Sequence, residues 1–170
     1  MNTVDKQCVF LNPGEITFGQ APLVVSTLLG SCVSAVIWNP YRQIGGMCHV
    51  VLPEKHGDAC DNKYAECAIE YFLRNIYIFN SNPIDYQVRL FGGGNMFPQF
   101  NREVNEKIGD RNIKTMCRLL KEVGFNLNND LDDVGGISYR RLTFYVSTGE
   151  VILKSKEIQT QAELYGGENA

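Results

Sequence analysis

Residues 23–38 read Leu-Val-Val-Ser-Thr-Leu-Leu-Gly-Ser-Cys-Val-Ser-Ala-Val-Ile-Trp. Two apolar runs, 23–29 and 32–38, are separated by Gly30-Ser31. The second run is rich in β-branched and aromatic residues and is bounded by Gly30 and Asn39-Pro40. It is short enough for a strand. Another run, Met47 to Leu52, follows Gly45-Gly46 and is closed by Pro53. Only the short polar link Asn39–Gln43 separates it from Trp38, so the two runs read as a hairpin or an adjacent strand pair.

Working outward, the first residues read as an irregular segment containing Asn12-Pro13-Gly14. Residues 53–63 form a polar loop ahead of a helix, in which Ala65, Ile69, Phe72, Ile76 and Phe79 recur at helical spacing on one face. The chain breaks again at Asn80-Ser81-Asn82-Pro83, and a strand from Tyr86 to Phe91 leads into Gly92-Gly93-Gly94. Asn112 is placed to cap a second helix carrying Ile113, Met116, Leu120 and Val123, with Gly124 as its stop. Residues 126–136 read as a polar loop, and Leu142–Val146 with Val151–Leu153 as a C-terminal hairpin. Strands and helices mix without a βαβ rhythm, so the fold class is α+β. One unit over residues 1–158 is expected, with 159–170 as a loosely held tail.

The chain has 170 residues, 16 Lys+Arg against 19 Asp+Glu and a net charge of -3. With no basic stripe, a nucleic-acid partner is not expected. No run approaches the ~18 apolar residues of a membrane span, and the first residues lack the pattern of a secretory signal. The expectation is a cytoplasmic protein without membrane insertion, whose six cysteines are reduced thiols.

Cys32 is the most suggestive thiol. It follows Gly30-Ser31 where the backbone bends between two apolar runs. A neighbouring glycine lets a substrate carbonyl approach the main chain, and nearby N–H groups can face an oxyanion. A cysteine at a strand start also serves as a small buried hydrophobe. His49 is the natural base. In an extended 47–52 segment Met47, His49 and Val51 share one face and Cys48, Val50 and Leu52 the other. If the two strands pair, His49 approaches Cys32 and can take its proton. The other reading is a core histidine satisfied by a carbonyl. Cys48 is the candidate resolving thiol of a redox protein, although alternation sets it opposite His49.

Metal is not expected. His56, Asp58, Cys60 and Cys67 lie close in sequence, but no C-x-x-C pair is present and their spacing matches no common zinc site. Gly92-Gly93-Gly94-Asn95 lacks the lysine and hydroxyl of a phosphate loop. A tight turn that brings the backbone close to another element explains it better.

Taken together, residues 27–33 (Thr-Leu-Leu-Gly-Ser-Cys-Val) and 46–53 (Gly-Met-Cys-His-Val-Val-Leu-Pro) closely resemble the signature of the CheD family of bacterial chemoreceptor glutamine deamidases. The likeness extends through Tyr64-Ala65, Phe91 to Met96, Ile108 to Asn112 and Asp133 to Gly136. It implies a layered β-sandwich flanked by helices, similar to the catalytic domain of the cytotoxic necrotizing factor toxins. It also implies Cys32 as nucleophile, His49 as base, and main-chain groups around Gly30 and Ser31 as oxyanion donors. The family's third residue is a threonine six positions before the cysteine. Ser26 holds that position here, with Thr27 directly after it as the alternative if the strand is bulged. Tyr139 before Arg140 departs from the glycine the family tends to carry there.

The implied reaction is deamidation of glutamine to glutamate on methyl-accepting chemoreceptors, needing no metal or organic cofactor. The same acyl transfer serves for a glutamyl methyl ester. A CheC-type phosphatase is an implied partner. The competing functional reading is a low-turnover CheD-like module that binds a receptor or such a phosphatase.

Overall fold

The segment Val33–Asn39 is buried along both faces, which is why its sequence is apolar without alternation. Val33, Ala35 and Ile37 enter one core while Val36 enters another. The computed structural model describes residues 6–98, 107–127 and 133–159. In chain order these form strands β1 (Gln7–Leu11), β2 (Ile16–Gln20), β3 (Leu23–Leu29), β4 (Val33–Asn39) and β5 (Ile44–Cys48), then helix α1 (Ala65–Ile78). Strand β6 (Gln87–Gly92), helix α2 (Ile108–Glu122) and strands β7 (Asn126–Leu127), β8 (Ser138–Tyr145) and β9 (Val151–Glu157) follow.

The strands divide into two mixed sheets, ordered β1-β3-β8-β9 and β2-β5-β4-β6-β7. In each sheet one pair is parallel, β1 with β3 and β6 with β7. Leu11, Val25, Leu29, Leu142 and Phe144 of the first sheet pack against Val36, Met47 and Phe91 of the second. The second sheet's other face carries both helices, through Ile69, Phe72 and Ile76 of α1 and Met116 and Leu120 of α2. Each large side chain so buried contributes about 1.5–3 kcal/mol. The architecture is α+β, two sheets face to face with helices on one outer side, as expected at that level.

The elements differ in detail from the sequence reading. The N-terminal residues form β1 and β2, whose half-exposed positions show no strong alternation. β5 begins at Ile44 and ends at Cys48, so the predicted 47–52 strand is displaced. Its glycines belong inside the ladder: a Cβ on Gly45 would lie 2.3 Å from the Ile37 carbonyl oxygen. α2 starts four residues before the expected cap, with Lys107 at its N-cap and Asn112 fully buried inside. Gly124, at φ +91°, does stop it. The expected 126–136 loop opens with β7 paired to β6, while 128–132 lie outside the described residues. Residues 1–5 and 99–106 of the expected unit, and 160–170 of the expected tail, also lie outside them.

The expectation of six reduced thiols fails for two of them. Cys60 and Cys67 form a disulfide across a sequence separation of 7, with Cα atoms 5.5 Å apart, inside the range a disulfide spans. The 53–63 loop folds back onto the first turn of α1, a contact invisible in residue spacing. Cys8, Cys32, Cys48 and Cys117 are free.

Candidate active site

The chain passes from one sheet to the other at Gly30–Cys32, between the end of β3 and the start of β4. Three successive carbonyls in this crossing are engaged. Gly30 O accepts from Gly94 N at 2.8 Å and Cys32 O from Gly93 N at 2.8 Å. Ser31 O accepts from Asn112 Nδ2 at 3.2 Å. Among the described residues, the N–H groups of Ser31 and Cys32 donate to no backbone carbonyl. The peptide units are thus held by their carbonyl sides, with the N–H sides bonded to no backbone carbonyl among the described residues. Backbone N–H groups held in this way are one component of an oxyanion hole.

The triple glycine makes this close approach possible. Gly92 has φ +99°, and a Cβ there would lie 2.2 Å from Cys32 O. The expected close approach to another element is present, made by the end of β6 and the two glycines after it. On its other side the strip is bonded to residues 133–136, through Gly92 N to Asp133 O, Gly135 N to Gly92 O and Asn95 N to Gly136 O. Arg140, 7% exposed, donates to Gly135 O and Ser138 O and secures that segment.

His49 follows β5 directly and leaves the ladder. Its N–H donates to Glu15 O and its carbonyl accepts from Gly14 N, each at 2.9 Å, so the turn between β1 and β2 fixes its backbone. The Asn12-Pro13-Gly14 segment therefore positions the histidine. Its imidazole is held by the opposite sheet: Thr27 Oγ1 lies 2.8 Å from Nδ1. Thr27 also donates its hydroxyl proton to Leu11 O at 2.8 Å. A hydroxyl has one proton to give, so toward the ring it accepts, and Nδ1 carries the hydrogen. Nε2 is left as the lone-pair nitrogen, buried and without a hydrogen-bond partner among the described residues.

This geometry reassigns the hydroxyl. Val25, Thr27 and Leu29 point between the sheets, while Ser26 stands on the outward face of β3 with Val24 and Leu28. Ser26, expected from its offset to the cysteine, does not face the imidazole. Thr27 does, with no bulge in the β1–β3 register.

Cys32 and His49 flank one hydrogen-bonded pair. Val33 and Val50 exchange N–H···O bonds of 3.0 and 2.9 Å as an antiparallel bridge. Continuing that register sets Cys32 and His49 as diagonal neighbours on one face, a relationship with Cα atoms roughly 7–8 Å apart. Cys32 is half-buried and packs against the core between the sheets.

Burial raises the Cys32 thiol above its ordinary value, its own backbone N–H opposing. Burial lowers His49, with the Leu11 carbonyl and the Glu15 carboxylate pulling the other way. Both groups therefore rest neutral, a thiol beside an uncharged base. Cys48 is different. Fully buried on the helix side, it accepts from Ala35 N, and burial pushes it up to about 12. It shares neither face nor reactivity with Cys32, so the resolving-cysteine reading has no geometric support.

Asn112 is the residue that sequence reading assigned elsewhere. Its amide donates to Ser31 O at 3.2 Å and Val51 O at 3.0 Å, tying the segment before Cys32 to the segment after His49. Its place inside a helix face, between Ile108 and Met116, was the available signal. A polar residue there is either exposed or bonded across the core.

A family model described as CheD chemotactic sensory transduction matches residues 51–155. A relative named probable chemoreceptor glutamine deamidase CheD, from Pseudomonas fluorescens (strain SBW25), is 39% identical over 147 residues, covering 84% of this chain and 81% of its own. Another so named, from Dechloromonas aromatica (strain RCB), is 40% identical over 148 residues, covering 85% of each chain. A third, from Leptospira interrogans serogroup Icterohaemorrhagiae serovar Lai (strain 56601), is 35% identical over 158 residues, covering 88% of this chain and 93% of its own. Among solved structures, the hypothetical protein YfiH of Bacillus licheniformis aligns at TM-score 0.43 and 13% identity, over 71% of this chain and 49% of that one.

Proposed function

This chain belongs to the CheD family, and from that premise we propose that it is a cysteine amidohydrolase converting chemoreceptor glutamine side chains to glutamate. In this reading Cys32 is the nucleophile, His49 the base and Thr27 the group that orients it. The observation that carries it is the Thr27–His49 hydrogen bond, which leaves Nε2 as a buried proton acceptor.

The steps follow from the resting protonation states. As Sγ attacks the glutamine Cδ, its proton passes to Nε2, and the amide oxygen becomes an oxyanion facing the Ser31 and Cys32 N–H groups. The protonated imidazole then gives that proton to the leaving nitrogen, the C–N bond breaks, and ammonia departs. The remaining thioester is attacked by water, which loses a proton to Nε2. Collapse returns the proton to Sγ and releases glutamate. A charged imidazolium is costly at a buried site, so it forms only while the oxyanion is present to offset it. The residues named need no metal or organic cofactor for this sequence.

The proposed setting is the cytoplasm, where the receptor's helical bundle is reached without crossing a membrane. Among the described residues no helix is long and apolar enough to span one. A CheC-type phosphatase as second partner, one catalytic unit over 1–158 and a fold akin to the toxin catalytic domain belong to the same reading. The two packed sheets with helices on one outer face support the last.

The test is mass spectrometry of a purified receptor cytoplasmic fragment after incubation with the protein. Each conversion changes NH2 to OH at one glutamine. Cys32→Ala and His49→Ala are expected to lower the rate at least about 10³-fold. Equal conversion by Cys32→Ala, or none by the wild type, overturns the reading.

A further inference from the structure

Among the described residues no helix packs on the β1-β3-β8-β9 sheet, and none of them covers the face turned away from the core. Its outward positions are Cys8 and Phe10, then Val24, Ser26 and Leu28, and across the sheet Tyr139, Arg141, Thr143, Tyr145, Ile152, Lys154 and Lys156. None is Asp or Glu, in a chain whose net charge is -3. Register groups the cations at one end, where Arg141 pairs with Leu28 and Lys154, and Tyr139 with Lys156. Among the described residues none of these three cations is in an ion pair. Apolar side chains share the surface: Phe10 is 50% exposed, Leu28 46% and Ile152 40%.

The basic end is the end nearest Cys32. Leu28 precedes the cysteine by four residues, a reach of at most about 13 Å at the rise of an extended chain. Between them Met96 lies over Gly30, its Sδ 2.8 Å from where a Cβ would be. Phe97 beside it is 64% exposed.

We propose that this face docks an acidic, amphipathic helix of the receptor substrate, placing its carboxylates on Arg141, Lys154 and Lys156 while the target glutamine reaches Cys32. The proposal rests on the deamidase reading and names a feature of its substrate. Lys154 lies two strand spacings, about 10 Å, across the sheet from Leu28, so the cations reach at most about 16 Å from Cys32, or about eleven residues of helix at 1.5 Å each, and the acidic residues stand within about three turns of the glutamine. The mixture of cations with exposed aliphatic and aromatic groups suits a protein partner with its own apolar stripe. An anionic lipid surface is the competing occupant.

The test uses the whole chain carrying Arg141→Glu, Lys154→Glu and Lys156→Glu together, and a milder Lys154→Gln/Lys156→Gln form. With a purified receptor cytoplasmic fragment, KM is expected to rise about tenfold or more for the triple variant and less for the milder one, with kcat within about twofold. Alkylation of Cys32 by iodoacetamide at the wild-type rate shows that the site is intact. An unchanged KM with intact alkylation overturns the proposal. If the wild type fails to convert the fragment, the deamidase reading falls, and binding decides docking separately. Salt-sensitive binding by the wild type, lost in the triple variant, supports the surface, and equal or absent binding overturns it. Charge-dependent sedimentation with phosphatidylserine vesicles, with receptor binding unaffected by the reversals, assigns the face to lipid and also overturns it.

Discussion

Thr27 of one sheet and His49, just past the end of β5 in the other, meet through a single hydrogen bond, Oγ1 to Nδ1 at 2.8 Å. The threonine's own proton is committed to Leu11 O, its direct partner in the parallel β1–β3 register. Sheet pairing thus decides which imidazole nitrogen keeps its lone pair. Replacing Thr27 with valine keeps the shape and removes the acceptor. The expected loss in kcat is about ten- to a hundredfold, because the ring is then free to adopt the wrong tautomer. Unpaired buried groups cost about 1–3 kcal/mol of stability as well. Ser26→Ala should leave kcat within about twofold. Steady-state deamidation assays and thermal melts of both variants check this, and a larger loss at Ser26 would contradict the assignment.

The pH dependence follows from burial. The proposed mechanism needs a neutral His49, and burial holds the imidazole below its ordinary value of 6.5. The acid limb of kcat/KM is therefore expected below that value. Stability carries the same sign. Between the lowered folded value and 6.5 the unfolded chain binds the proton more readily, so stability falls as pH drops through this window. Below the folded value the loss from this group is complete. Melting temperatures across the window should depend less on pH in His49→Gln than in the wild type.

Asn112 tests whether the two arms of the site need fastening. Asn112→Ala leaves Ser31 O and Val51 O without their buried donor and should cost about 2 kcal/mol of stability. We expect kcat to fall about tenfold with little change in KM, and iodoacetamide to alkylate Cys32 at an altered rate. Asn112→Asp should be worse, since a carboxylate would face two carbonyl oxygens. Unchanged kcat in a folded Asn112→Ala protein would show that β4 and β5 alone hold the geometry.

The Cys60–Cys67 bond predicts four titratable thiols in denatured, unreduced protein and six after reduction. Closing so short a loop is worth roughly 2–3 kcal/mol in the chain-entropy account. Cys60→Ser/Cys67→Ser is expected to melt lower while retaining deamidase activity, because neither sulfur belongs to the Cys32–His49 pair. Six free thiols before reduction would remove the bond from the account.

Much of the molecule was legible in its residues because the signals are local. α1 follows from Ala65, Ile69, Phe72 and Ile76 recurring on one face, β4 from an apolar run bounded by Gly30 and Asn39-Pro40, and the end of α2 from Gly124. Cys32 and His49 stood out for similar reasons, one beside a backbone bend and the other inside an apolar run. β1, β2 and the charged end of β9 gave little warning, since strands exposed at sheet edges carry no strong burial pattern.

By itself the sequence determined an α+β class, the nucleophile candidate and its partner among only two histidines. Which hydroxyl serves that histidine was left to tertiary structure. Counting back from Cys32 selects Ser26, but a strand's two-residue period turns Ser26 outward and Thr27 inward, toward Leu11 and His49. The same holds for Asn112, a helix cap by its type and a clasp between Ser31 and Val51 by its place. Hydrogen bonds over such separations depend on how sheets and helices pack, and residue order alone does not encode that packing locally.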